Sequence, residues 1–274
     1  MKRRHPALPF FLGAPDMVFG VDPVENVRRL EDIVDDVTLV LFHTPTQHNI
    51  PTSVQVRTLR QVAEERKMTV TVHLPASLEP ASQDPGLRRT ASRLSSEICK
   101  RTEDLRPRYY ILHIPISKPT LVPVPGCYYT AGFTPDWDWS GYGLDFLENL
   151  NESIGDSSRL LVENINYSPV LLEPFLNSGL CELCLDLGHL LLGGENVAHH
   201  LERYKNETRV IHLHGVDGHE EHLSLKRMEK NRPLKWIHQL CDKPYEGILT
   251  LEVFSPQDLK ESIDVVLEGC GRAE

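Results

Sequence analysis

The chain has 274 residues, 40% of them hydrophobic and 25% charged, proportions that point to a globular protein with one large core or two small ones rather than to disorder or a fibre. Its formal charge of -10 opposes a duplex nucleic-acid partner, whose phosphates require clustered Lys and Arg. No run of about 18 apolar residues exists to span a membrane, and Pro6, Pro9 and Pro15 interrupt the basic-then-apolar amino end too soon for a signal peptide.

Taken in chain order, strand-like and helix-like stretches alternate. "FFLGA" (10–14) reads as a strand, and "DPVENVRRLEDIV" follows with helical spacing, Asp22 as a cap and Pro23 in the first turn. "VTLVLF" (37–42) precedes "PTSVQVRTLRQVAEERK", which places Val54, Leu59, Val62 and Ala63 on one side. "MTVTVHL" (68–74) leads into "DPGLRRTASRLSSEICKRTEDL", and "YYILHI" (109–114) comes before "GYGLDFLENLNES". "RLLVENI" (159–165), "CELCLDL" (181–187), "RVIHLHG" (209–215) and "GILTLEVF" (247–254) alternate with "SPVLLEPFLNSG", "ENVAHHLERYKN", "RPLKWIHQLCDK" and "SPQDLKESIDVVLEG". Eight such units imply a parallel sheet covered by helices, and this chain length suits closure into a single (β/α)8 TIM barrel spanning residues 1–274. An open doubly wound sheet is the rival, but no Gly-rich phosphate loop follows the first strand.

One connection is too long to be ordinary. "ISKPTLVPVPGCYYTAGFTPDWDWSGYG" (116–143) reads either as a surface excursion or as a wall over the barrel mouth, with Tyr128, Tyr129, Trp137 and Trp139 placed to stack on a flat ligand. Cys99, Cys127, Cys181, Cys184, Cys241 and Cys270 match no secreted framework and are expected to be reduced thiols in a cytoplasm.

The polar residues are not scattered. His43 ends the second strand, His73 the third, His113 the fourth, Glu163 the fifth, Asp186 the sixth with His189 just beyond, His212 and His214 the seventh, and Glu252 the eighth. In a closed barrel all of these ends share one mouth. Imidazoles with carboxylates suit Zn²⁺, Mn²⁺ or Fe²⁺, and one tetrahedral ion needs only about four ligands. The excess points to two or three divalent ions, with Glu163 and Glu252 able to bridge. Such a cluster can bind a phosphate ester and activate water, whereas a sugar isomerase or epimerase on the same barrel would polarise a carbonyl with one ion among Glu163, Asp186, His212 and Glu252. The residues leave both chemistries open. In the stretch "VIHLHGVDGHEEHLSL" (210–225), His212 is the best ligand and His222 the second, while His219 and Glu220 are expected to face solvent.

The motifs "VHLP", "LHIP", "VENI", "LDLGH", "IHLHG", "HLSL" and "LEVF" follow one another in the order found in xylose-isomerase-like barrels, which include apurinic/apyrimidinic endonuclease IV, and this resemblance covers nearly the whole chain. By analogy with the trinuclear zinc cluster of the endonuclease branch, it implies His73, His113, Glu163, Asp186, His189, His212, His222 and Glu252 as metal ligands. Together "NVRRL", "LVLF", "HLPASL", "CLDLGHLL", "HLHGVDGHEEHLSL" and "LTLEVF" more closely resemble the cobamide-remodelling phosphodiesterases, which cut the nucleotide loop of cobalamin-type corrinoids. The resemblance departs at His43 and Glu221, where that group carries an acidic residue and an Asp. It implies a corrinoid small-molecule substrate rather than nucleic acid. Glu163 or Glu252 would orient the attacking water, His214 would back the cluster or touch the phosphate, and Lys118, Lys226 or Arg227 would add charge beside it. His43, Trp137 and Glu221 complete the expected substrate contacts. A non-catalytic corrinoid- or metal-binding barrel is the third reading.

Overall fold

The computed structural model describes residues 3–20, 22–116, 135–218, 220–229, 231–243 and 245–271. Its strands in chain order are β1 (Phe11–Pro15), β2 (Asp36–Val40), β3 (Thr69–His73), β4 (Tyr110–His113), β5 (Leu160–Glu163), β6 (Glu182–Asp186), β7 (Thr208–Leu213), β8 (Gly215–Asp217), β9 (Glu220–Leu223) and β10 (Ile248–Leu251). β1 to β7 and β10 form a closed parallel barrel, in which each strand pairs with its sequence neighbours and β10 returns to β1. The helices α1 (Pro23–Leu30), α2 (Ser53–Arg66), α3 (Pro85–Thr102), α4 (Trp139–Ile154), α5 (Glu173–Asn177), α6 (Leu187–Leu192), α7 (Val197–Arg203), α8 (Asn231–Asp242) and α9 (Pro256–Gly269) fill the connections.

Local chemistry sets the helix starts. Asp22 accepts the amide of Glu25 ahead of Pro23, and Thr52 and Gln55 form a reciprocal capping box on α2. α2 buries Val56, Leu59, Val62 and Ala63, whereas Val54 is exposed. Two residues of helix turn through about 200°, which puts Val54 on the far side from Val56.

Period two on each strand explains the barrel interior. Ile111, Leu161, Cys184, Val210 and Ile248 point inward as an apolar plug, joined by Phe11 and Tyr109. Two residues further along the same inward faces stand His113, Glu163, Asp186 and His212, and Glu252 lies four residues beyond Ile248. The register sets them side by side: His113 pairs with Glu163, Glu163 with Cys184, Asp186 with His212, and His212 with Thr250. An apolar floor therefore carries a polar ring.

Four features depart from the sequence reading. α6 starts directly after β6, and the antiparallel hairpin β8–β9 follows β7 where a loop was expected. Trp139 is buried against Tyr167 and Phe175 at the start of α4, so it is a packing residue rather than a stacking platform. Cys241 and Cys270 form a disulfide, because α8 and α9 lie alongside each other; this corrects the expectation of thiols at these two positions, while Cys99, Cys181 and Cys184 are free and buried. Tyr128, Tyr129, Lys118, Cys127 and His219 lie outside the described residues. Among the described residues no helix is long and apolar enough to cross a membrane.

Asp16, just past β1, is buried and accepts the amide of Val40. Burial pushes its carboxyl up to about 7 from 3.8. Between these two values the folded chain keeps a proton that the unfolded chain releases, so stability falls as pH rises through that window. Asp16→Asn is expected to flatten the decline and to raise stability at pH 8 by about 2–4 kcal/mol. Urea unfolding of both proteins at pH 5 and pH 8 checks this, and parallel pH profiles would refute it.

Candidate metal centre

Glu163 sits at the middle of the ring, buried at the end of β5. Its Oε2 lies 3.0 Å from Nε2 of His73 and 3.2 Å from Nε2 of His113; its Oε1 lies 3.1 Å from Nδ1 of His212. That His212 nitrogen is also 3.3 Å from Oε2 of Glu252 and 3.9 Å from Oδ2 of Asp186. One N–H cannot serve three carboxylates, whereas a cation held by the nitrogen lone pair can.

The other ring edges show which nitrogens are free for that task. Nδ1–H of His73 donates to the carbonyl of Leu74 at 2.7 Å, that of His189 to Asn164 at 3.0 Å, and that of His222 to Glu252 at 3.1 Å. In the neutral ring each such bond leaves the Nε2 lone pair facing the cluster, the tautomer a metal ligand needs. Nε2 of His73 then confronts a carboxylate oxygen with a lone pair, an arrangement that a shared cation or a second proton must stabilise. Asp186 adds to this. Its Oδ1 caps α6 by accepting the amide of His189 at 2.6 Å, while its Oδ2 is buried without a hydrogen-bond partner. The donor set thus fits divalent cations.

Among the described residues, four sets of candidate ligand atoms lie mutually within 4.8 Å: His73, His113 and Glu163; Glu163, Asp186, His212 and Glu252; Glu163, Cys184 and His212; and His189, His214 and His222. Glu163 belongs to three of them. Glu252 extends the chain of contacts, its Oε2 lying 3.6 Å from Nδ1 of His222. All eight residues that the sequence resemblance implied as ligands therefore meet at one mouth.

The electrostatics follow from burial opposed by partners. Burial works against charge on Glu163, Asp186 and Glu252, yet the surrounding imidazoles hold all three carboxyls below their ordinary values. Burial also disfavours charge on the rings. At His113 burial wins and lowers the pKa; at His73 and His212 the facing carboxylates and, for His212, the neighbouring Cys184 prevail and raise it. Metal binding would release such protons, which makes affinity fall as pH drops.

The remaining expected contacts divide. Glu221 lies at the rim, half-exposed, 3.9 Å from Nε2 of both His189 and His222, and so faces the set formed by His189, His214 and His222. His214 is fully buried, which removes it from contact with a substrate. Lys226 pairs with Asp264 of α9 at 3.2 Å, and Arg227 is exposed just after it. Trp137 is half-buried and donates to the carbonyl of Ala81 at 2.9 Å. His43 bridges to His48 through the main chain and stacks on its ring at 6.1 Å, in none of the ligand sets.

Two contributors were not singled out in the sequence. Asn164 bonds both the amide and the carbonyl of Asp186 while its own carbonyl takes Nδ1–H of His189, so it locks two candidate ligands at once. Its position directly after Glu163 in "VENI" was the available signal. Phe254, exposed and 5.1 Å from the His222 ring, offers an apolar face beside the rim.

A family profile described as a xylose isomerase-like TIM barrel matches residues 35–269. A search of the curated proteins finds no match. Among solved structures, a D-tagatose 3-epimerase-like protein superposes with a TM-score of 0.70 at 18% identity, covering 96% of this chain and 97% of that one. Endonuclease IV from Thermus thermophilus gives 0.65 at 16%, covering 96% and 100%. A 3-keto-D-glucoside 4-epimerase from E. coli gives 0.68 at 11%, covering 95% and 98%. At these identities the likeness is one of fold.

Proposed function

The chain belongs to the xylose isomerase-like TIM barrel family, and from its overlapping ligand sets we propose that it is a metal-dependent phosphodiesterase that opens the nucleotide-loop phosphodiester of cobamides. The observation that carries this reading is Glu163, whose two oxygens face different histidines and so connect more than one cation position. A single-ion isomerase has no use for the set formed by His73 and His113 beyond substrate contact.

Divalent ions bound there would neutralise charge on the phosphate and on the leaving oxygen and would acidify a water. The chain's own residues supply the rest. Glu163 spaces the first two positions. Glu252, with Oε2 between His212 and His222, is the group placed to accept a proton from the attacking water. Glu221 reaches the same region from the rim, and Phe254 gives a flat group of the substrate an apolar surface. The net charge of -10 suits a substrate with one phosphodiester better than a polyanion.

A second reading, a sugar or sugar-phosphate epimerase, is favoured by the set Glu163, Asp186, His212 and Glu252, which would serve one ion by itself. Mass spectrometry of intact cobamides incubated with metal-loaded protein separates the two readings. Release of the nucleotide-loop fragment is expected; intact cobamide alongside turnover of ketose sugars would replace this proposal with the epimerase.

A further inference from the structure

We propose that His214 is a positioning residue that builds the third cation position by holding the main chain at His222. This rests on the reading that His189, His222 and Glu221 bind an ion.

His214 leaves β7 pointing inward, and its ring is held from three sides. Nδ1 accepts the main-chain N–H of His222 at 3.0 Å, Nε2 lies 3.4 Å from Oδ1 of Asp186, and Gly188 of α6 abuts the ring face. A Cβ at Gly188 would stand 2.2 Å from the imidazole, so only glycine lets α6 approach this closely. The ring therefore reads the positions of β6, α6 and the β8–β9 hairpin together.

His222 needs such an anchor. Its φ of 57° is left-handed, a conformation disfavoured for an L residue with a full side chain. With that backbone its Nδ1 meets the Glu252 carbonyl and its Nε2 turns toward Glu221. Loss of the bond from its amide to His214 removes a side-chain restraint on that main chain. The hairpin would be free to relax to an ordinary φ and carry the imidazole away.

A ligand role for His214 is the competing account, since its ring nitrogens lie within 4.8 Å of those of His189 and His222. The contacts weigh against it. The Nδ1 lone pair is engaged by His222, with the carbonyl of Gly215 a longer 3.3 Å away on the same edge, and this places the ring proton on Nε2. A ring so committed has no free lone pair for an ion.

The test compares the full-length wild type with His214→Ala, His214→Asn and Gly188→Ala, each loaded with Zn²⁺. Ions per chain are counted after dialysis, and the weakest site is titrated against a chelator. His214→Ala is expected to weaken one ion about 10–100-fold and to leave the others. His214→Asn, whose Oδ1 takes the place of Nδ1, should recover binding to within a few-fold. Gly188→Ala, which displaces the ring without altering any ligand, should reproduce the loss. Equal losses in His214→Asn and His214→Ala would assign His214 as a ligand and overturn the proposal. So would full retention of ions in His214→Ala with only a lower melting temperature. If His214→Ala does not fold, the prediction for His214→Asn decides alone. A wild-type count of one ion overturns both the metal-cluster reading and this proposal, whereas a full wild-type count with no loss in the variants overturns only the latter.

Discussion

Glu163→Gln is expected to retain at most one divalent ion and to lose phosphodiesterase activity by about 10³-fold or more. Glutamine keeps the shape of the side chain but removes the charge, and its amide nitrogen has no lone pair to offer a cation. Oε2 faces the His73 and His113 rings and Oε1 faces His212, so both edges of the group lose their function together. Ions that each contribute several kcal/mol to the transition state translate, at about 1.4 kcal/mol per tenfold, into losses of this size. The buried histidines around position 163 would also lose their counter-charge, so a stability measurement belongs beside the kinetic one. A Glu163→Gln protein that kept its full metal content and rate would contradict the bridging role.

The second large effect separates the two candidate chemistries. His73 touches only the set that it shares with His113 and Glu163, whereas Glu252 lies within reach of His212 and His222. His73→Ala is therefore expected to lose one ion and about 10²-fold or more in rate, and Glu252→Ala to weaken two ions and to lose more. In a single-ion epimerase the pattern changes: Glu252→Ala empties the site, and His73→Ala keeps its metal and raises KM. Metal content and steady-state kinetics on the two variants, measured together, distinguish these patterns.

Much of this was legible in the sequence because barrels convert strand ends into spatial neighbours. The polar ring needed only the positions of His73, His113, Glu163, Asp186, His212 and Glu252 at the ends of apolar runs, and period two then fixed which way each side chain points. Contacts that depend on loops were harder to see. The hairpin that brings Glu221 and His222 back over the cluster turns at Gly218, with φ of 62°, as its glycine suggests, but it also needs a left-handed His222, which hydrophobic periodicity does not record. α6 was hidden because its start coincides with a candidate ligand: Asp186 ends a strand, caps a helix and faces the cluster at once. Trp139 looked like a platform by composition, yet α4 turns it into the core. The disulfide joins cysteines 29 residues apart, and only the side-by-side packing of α8 and α9 makes them neighbours.

The central claim is that these side chains gather around shared cations, and the direct measurement is the number of ions bound per folded wild-type chain, read by elemental analysis and by anomalous scattering from a metal-loaded crystal. Two or three ions, one between His73, His113 and Glu163 and another among Glu163, Asp186, His212 and Glu252, is the predicted result. A single ion, or none after loading, with Glu163 bonded only to protonated histidines, would contradict the account.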